Sequence, residues 1–199
     1  METFETTRLL MKPLGPEDRE LYCYCYTDPD LMKLIAAPLK KDAASRSFDA
    51  ALRLNSSLPV RRRDWVMVEK ESGSSIGLLS LVGCKTKPEA INADLGAIIL
   101  DEFQGRGYSL EGTGALVDAA FHVSHINSVH TYHLAENAAV GRVMAKLGFS
   151  CTIEIHDGIE NYHWQLQRPN WQPGKYVLDS NALQSQPGSD NVVDFGKAG

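Results

Sequence analysis

Between Ile98 and Ser109 an apolar strand ends, Gly105 and Gly107 flank Arg106, and an amphipathic helix begins at once. Glycine lets the backbone turn tightly and approach a ligand with no Cβ in the way. The first N–H groups of a helix have no intrahelical acceptor and lie at the positive end of its dipole, so such a turn can hold an anion. A diphosphate suits it, and Arg106 could add charge or stack on a base. A Walker A loop needs Gly-Lys followed by Ser or Thr, which the chain lacks. The Rossmann fingerprint needs a third glycine where Leu110 stands, and an acidic residue about 20 positions on. Both are disfavoured, which leaves an anion-binding turn or an ordinary glycine-containing helix start.

The remaining punctuation frames that turn. Residues 7–13 read as a strand, and Gly15-Pro16-Glu17-Asp18 opens a helix through Tyr26 with acidic residues in its first turn, where the dipole favours them. A short helical stretch ends before Pro38, and residues 42–56 form an amphipathic helix with Phe48, Leu52 and Leu54 near its apolar side. Residues 65–71 and 76–84 form a hairpin about Gly73-Ser74, and a loop at 85–89 leads to a strand at 91–100. Then come a helix at 107–124, a strand at 128–135, a helix at 137–147 capped by Gly148, and strands at 149–156 and 161–168. In the helix at 137–147, Ala139, Val140, Val143, Met144 and Leu147 recur at helical spacing. This order predicts an α+β fold, a mixed sheet covered by helices. Residues 5–171 read as one domain and 172–199 as a polar, flexible tail.

Composition narrows the functional classes. The chain has 199 residues, 43% apolar and 23% charged, with a formal net charge of -5. The acidic balance argues against nucleic acid as a partner. No stretch approaches the roughly 18 apolar residues of a spanning helix, and the N-terminus has no apolar signal region, so a cytoplasmic protein with no membrane partner is expected. The four cysteines form no C-x-x-C, and reduced, buried thiols are expected. His130 and His133 have opposite strand parity, and the six histidines do not converge by local spacing, so no metal site is expected.

Three segments together carry a resemblance. Gln104-Gly105-Arg106-Gly107-Tyr108-Ser109 resembles the Q/R-x-x-G-x-G/A signature of the GNAT acyltransferase superfamily. Downstream, Asn137 through Phe149 resembles its second block, which ends in Lys146-Leu147-Gly148-Phe149. Glu5 through Leu14 resembles the first strand of the RimJ/RimL-type branch. The resemblance implies a central, largely antiparallel twisted sheet of about seven strands flanked by helices, with a V-shaped splay between the fourth and fifth. It implies acetyl-CoA as cosubstrate and no metal. The acceptor would be a small-molecule or peptide amine, such as a protein N-terminus, a polyamine or an aminoglycoside. Relatives are monomers or homodimers.

Carried over by position, backbone groups of Ile98, Ile99 and Leu100 would meet the pantetheine arm and acetyl carbonyl, with an N–H of Ile99 or Leu100 facing the oxyanion. Gln104, Gly105, Arg106, Gly107, Tyr108 and Ser109 would form the pyrophosphate turn, and Asn137 would contact the pantetheine arm. Asp94, of the same strand parity as Ile98, is the candidate base, with an ion-paired strand residue as the bland alternative. Many relatives place a tyrosine where Met144 stands, or a serine where Val140 stands, to protonate the leaving thiolate. Tyr132 or Tyr108 would then be the candidate acid, or solvent would protonate the thiolate, or activity would be lost. An acyl-CoA-binding module without catalysis remains the alternative. Glu111 reads as a helix or packing contact, and Arg61–Arg63 as an exposed loop or a 3′-phosphate contact.

Overall fold

The computed structural model describes residues 3–56, 61–87, 90–123, 126–156, 159–172 and 176. Two short antiparallel strands, β1 (Phe4–Glu5) and β2 (Leu9–Pro13), start the sheet. A 3-10 turn at Pro16–Asp18 leads into α1 (Arg19–Thr27), followed by α2 (Pro29–Met32) and α3 (Lys41–Asn55). The antiparallel strands β3 (Arg62–Glu69), β4 (Ser75–Lys87) and β5 (Ala90–Ile99) follow. The order closes with α4 (Tyr108–Val123), β6 (Ile126–Leu134), α5 (Ala138–Lys146), β7 (Ser150–His156) and β8 (Ile159–Gln167).

These strands form an eight-stranded sheet in the order β1-β2-β3-β4-β5-β6-β8-β7. The expected α+β class and largely antiparallel sheet are what the chain adopts, with β1 as an eighth strand too short to register as a pattern. Residues 85–87, read as part of a loop, are strand: β4 runs to Lys87, which pairs with Ala90, and 88–89 lie outside the described residues. The arginine triplet is also corrected. Arg62 and Arg63 begin β3, and Arg62 donates to Asp64 through Nε at 2.7 Å and Nη2 at 2.8 Å, so it is not free for a phosphate. Ala139, expected on the apolar side of its helix, is exposed, and the buried residue of α5 is Met144.

Alternation along the strands sends one set of side chains to each face. On one face Leu9, Met11, Met67, Leu79, Leu95 and Ile99 pack against α4 and α5. On the other, Val66, Leu78 and Ile98 meet Tyr22, Cys25 and Phe48 of α1 and α3. Gly77 of β4 lies where an added Cβ would stand 2.1 Å from the Ile98 carbonyl oxygen, so these two strands approach closely just below the glycine turn. Trp171 donates to Asp118 of α4 through Nε1 at 2.6 Å, and Tyr176 stacks on Trp171 at 6.3 Å. The rest of the segment read as a flexible tail, 173–175 and 177–199, lies outside the described residues, as do residues 157–158.

Candidate active site

The β5–α4–β6 unit is the one parallel connection among the described residues, and it creates the cleft. Parallel neighbours need a crossover, here α4, which places the helix N-terminus at the C-terminal end of β5. β5 pairs with β6 only from Ile91 to Asp94, opposite Ile126 to His130. Above Asp94 the two strands part while β5 stays paired with β4 up to Ile99, opposite Gly77. A cavity of about 200 Å³ occupies the gap, lined by Leu78, Ala97, Ile98, Ser109, Tyr132 and Asn137 among others.

Peptide groups of β5 are divided between its two sides. Leu100 donates its N–H to Ile76 of the β4 side at 2.9 Å, so it is not available to an oxyanion. Successive peptide groups alternate, so the N–H groups of Ala97 and Ile99 face the cleft. The Ile99 carbonyl accepts from Gln104 Nε2 at 2.9 Å, which also donates to Asp101 at 2.8 Å. Gln104 thus ties the strand end to the turn rather than pointing at a ligand.

Gly105 and Gly107 have φ of +75° and +82°, left-handed conformations that L side chains rarely adopt. Such alternation makes successive N–H groups converge into an anion-binding concavity. The turn is held from behind by Arg8 of the β1–β2 connection, which the glycine pattern did not reveal. Arg8 donates to the Arg106 carbonyl at 3.0 Å, lies 4.5 Å over the Tyr108 ring, and pairs with Glu111 at 2.6 Å. Glu111 also accepts from the Arg8 backbone N–H at 3.0 Å and from Thr6 Oγ1 at 2.5 Å. The packing role read for Glu111 is therefore a specific one: it fixes the first strands to the first turn of α4.

Burial would push the Glu111 carboxyl up, but the hydrogen bonds from Thr6 and Arg8 outweigh it and hold the group below the usual carboxylate range. A folded-state value below the unfolded one contributes stability above the unfolded pKa, and this is lost as pH falls through the folded value. Glu111→Ala should lower unfolding stability by about 1–2 kcal/mol, because it removes the main acceptor of the buried Thr6 hydroxyl and a half-exposed ion pair with Arg8. The deficit relative to wild type should shrink in denaturant melts as pH drops below about 4. An unchanged midpoint at pH 7 would refute this role.

Tyr108 turns its ring into the core, and its hydroxyl donates to Glu69. That bond raises the Tyr108 pKa, while Ser72 and Tyr108 together lower that of Glu69. Tyr108 is therefore committed to structure and is no acid for a thiolate; its backbone N–H remains in the turn. Tyr132, by contrast, is 52% exposed, lines the cavity and stacks on His163 at 4.4 Å. Met144 and Val140 line the opposite wall with apolar side chains. Asn137 sits at the α5 N-terminus and donates through Nδ2 to Leu34 O at 3.3 Å, joining α5 to the segment after α2. Asp94 stands at the last paired position, opposite His130, on the face shared by Ile98, and is not among the residues that line the cavity.

Sequence spacing missed one cluster. His130 Nδ1 and His163 Nε2 lie 2.8 Å apart, His163 Nδ1 is 3.0 Å from Glu154, and Ser128 Oγ is 2.6 Å from His130 Nε2. The pairing of β6 with β8 and of β8 with β7 brings them together. Among the described residues no His, Cys, Asp or Glu group is arranged to hold a metal ion.

Comparison with known proteins follows this geometry. The family model described as "Acetyltransferase (GNAT) domain" matches residues 8–150. The FsC-acetyl coenzyme A-N(2)-transacetylase of Aspergillus fumigatus is 28% identical over 153 residues, covering 74% of this chain and 65% of that protein, so the match spans just under two thirds of that relative. A spermidine N-acetyltransferase from Vibrio cholerae, solved with CoA and spermine, has a TM-score of 0.71 at 15% identity, covering 82% of this chain and 98% of that one. A ribosomal-protein-S5-alanine acetyltransferase from Vibrio fischeri has a TM-score of 0.69 at 14% identity, covering 87% and 100%. At these identities the structural likeness is one of fold. The family match, by contrast, contains the glycine turn, the splayed strands and the Asn137 helix, and it takes in most of the sequence: the chain belongs to the GNAT acetyltransferase family.

Proposed function

We propose that the chain is an acetyl-CoA-dependent N-acetyltransferase that passes an acetyl group directly from the thioester to a primary amine. One observation carries this reading: the unpaired edges of β5 and β6 above Asp94 open toward the converging N–H groups at the start of α4. That arrangement fits a ligand with an amide-rich arm and a diphosphate. In it Gly105 to Ser109 hold the phosphates through backbone N–H groups, with Arg106 adding charge. The cleft-facing peptide groups of Ala97 and Ile99 and the side chains of Ile98, Leu100 and Asn137 contact the arm. When bound, acetyl-CoA supplies the activated carbonyl, and the Ile99 N–H is aimed to stabilise the oxyanion.

Asp94 takes the proton of the acceptor ammonium, directly or through one water. Tyr132 returns a proton to the leaving thiolate, since Met144 and Val140 cannot. A primary amine acceptor is supported by the named N(2) transfer of the Aspergillus relative and by the spermine in the Vibrio cholerae structure. Placement in the RimJ/RimL branch is supported by the Glu5–Leu14 segment, and a cytoplasmic setting by the free thiols Cys23, Cys25 and Cys151.

The deciding experiment measures thiol release from acetyl-CoA with spermine, an aminoglycoside and an alanine-initiated peptide in turn. Amine-dependent release with mass-confirmed acetylation supports the enzyme. Tight acetyl-CoA binding with no release for any amine would favour the second reading, an acyl-CoA-binding module, which the apolar wall of Val140 and Met144 recommends.

A further inference from the structure

Polar side chains on a sheet face are costly to bury unless each finds a partner. Ser128, His130, His163 and Glu154 satisfy one another in a line that crosses three strands: β6, β8 and β7. Ser128 is 1% exposed, and the Glu154 side chain is 40% exposed, so the line runs from the interior to solvent. Its inner end lies at the seam where Asp94 stands opposite His130.

Hydrogen-bond directions along this line follow from the carboxylate. Ionised Glu154 can only accept, so His163 donates from Nδ1. With both rings neutral, His163 Nε2 is an acceptor and receives Nδ1–H of His130. His130 Nε2 is in turn left as an acceptor, satisfied by the Ser128 hydroxyl. Every step has one donor and one acceptor, and both rings are neutral with bare Nε2 atoms.

We propose that this line is a proton exit path, by which the proton taken from the acceptor ammonium at Asp94 enters at His130 and reaches solvent at Glu154. The inference rests on the acetyltransferase reading above. In the step, an ammonium N–H bond breaks and its electron pair stays on nitrogen for attack on the thioester. The proton passes from Asp94 to His130 Nε2 as the Ser128 hydroxyl turns away. The added charge is shared through the His130–His163 bond, and His163 Nδ1–H is discharged onto Glu154. Asp94 returns to its carboxylate, Glu154 gives its proton to solvent, and the two rings, left as Nε2–H tautomers, exchange back to the Nδ1–H form before the next acceptor. His130 and His163 are positioning residues in this scheme, since neither needs to touch substrate.

The groups that act on His130 electrostatically are His163 and Asp94. Burial, then the neighbouring His163, lower its pKa, and Asp94 opposes them. His130 is thereby neutral at pH 7 and ready to receive a proton.

Two measurements test the path. Nitrogen-15 NMR of the free full-length protein at pH 7 should show Nδ1–H tautomers for both His130 and His163; an Nε2–H tautomer at His163 would overturn the proposal whatever the activity. With spermine and the alanine-initiated peptide as acceptors, Glu154→Gln and His163→Ala should each lower kcat about tenfold, with the KM for acetyl-CoA unchanged. Added imidazole should restore turnover in His163→Ala, which a merely structural loss would not allow. Wild-type pH profiles in both variants would also overturn it. A wild type inactive on every amine tested sinks the enzyme reading instead, and the tautomers alone then decide the line.

Discussion

Gly107→Trp should abolish acetyl-CoA binding in a calorimetric titration that gives micromolar affinity for the wild type. Two effects combine at this position. The residue sits at φ +82°, which an L side chain occupies at a cost of about 1–3 kcal/mol. The indole would also stand where the phosphates must approach the backbone. An added Cβ meets only Arg8 Nη2 at 3.5 Å, so the substitution falls on a surface turn and should leave the fold intact. A loss of about 100-fold or more corresponds to about 2.7 kcal/mol, within what the two effects supply together. Gly107→Ala separates them: it carries the backbone strain without the bulk, and its affinity should fall between the two. Wild-type affinity in the tryptophan variant would remove the glycine turn from the binding site, and no binding by the wild type would remove acetyl-CoA altogether.

Asp94→Asn should lower kcat/KM for the amine about 100-fold at pH 7 while leaving acetyl-CoA affinity unchanged. The substitution keeps the shape of the side chain but removes the carboxylate proposed to take the proton. An alkyl amine has a pKa near that of lysine, about 10.4, so only a small fraction is neutral at pH 7. Without Asp94 the variant depends on that fraction. Its rate should climb about tenfold per pH unit until the amine has titrated, whereas the wild type levels off earlier. A variant whose pH profile follows that of the wild type would show that the proton leaves by another group.

Local pattern carried much of this structure. The glycine turn, the helix after it and the 137–147 periodicity each depend on neighbours within a few residues, so α4 and α5 were readable with near-correct ends. What failed depends on register. His130 and His163 are 33 positions apart and meet only because Tyr132 pairs with His163 across β6 and β8. No spacing rule could place Glu154 on the same line. Leu100 looked like a donor to the cleft until its pairing with Ile76 showed which side its N–H serves. Arg8 was visible as part of the first-strand resemblance, yet its contact with the Arg106 carbonyl spans 98 positions. The Arg61–Arg63 run read as solvated because charge runs usually are; Asp64, buried beside it, draws Arg62 into the sheet.

The four-residue seam joins two sets of strands. From β1 to β5 every strand pairs with the next in sequence, and β6, β8 and β7 make a second antiparallel set. With four paired positions along it, the seam relies on the core beneath it more than on strand hydrogen bonds. A molecule lying between the strand edges and touching both sets would act as a splint, adding its binding free energy to the cohesion of the whole chain. The lifetime of the folded protein would then rise and fall with the supply of its own cosubstrate.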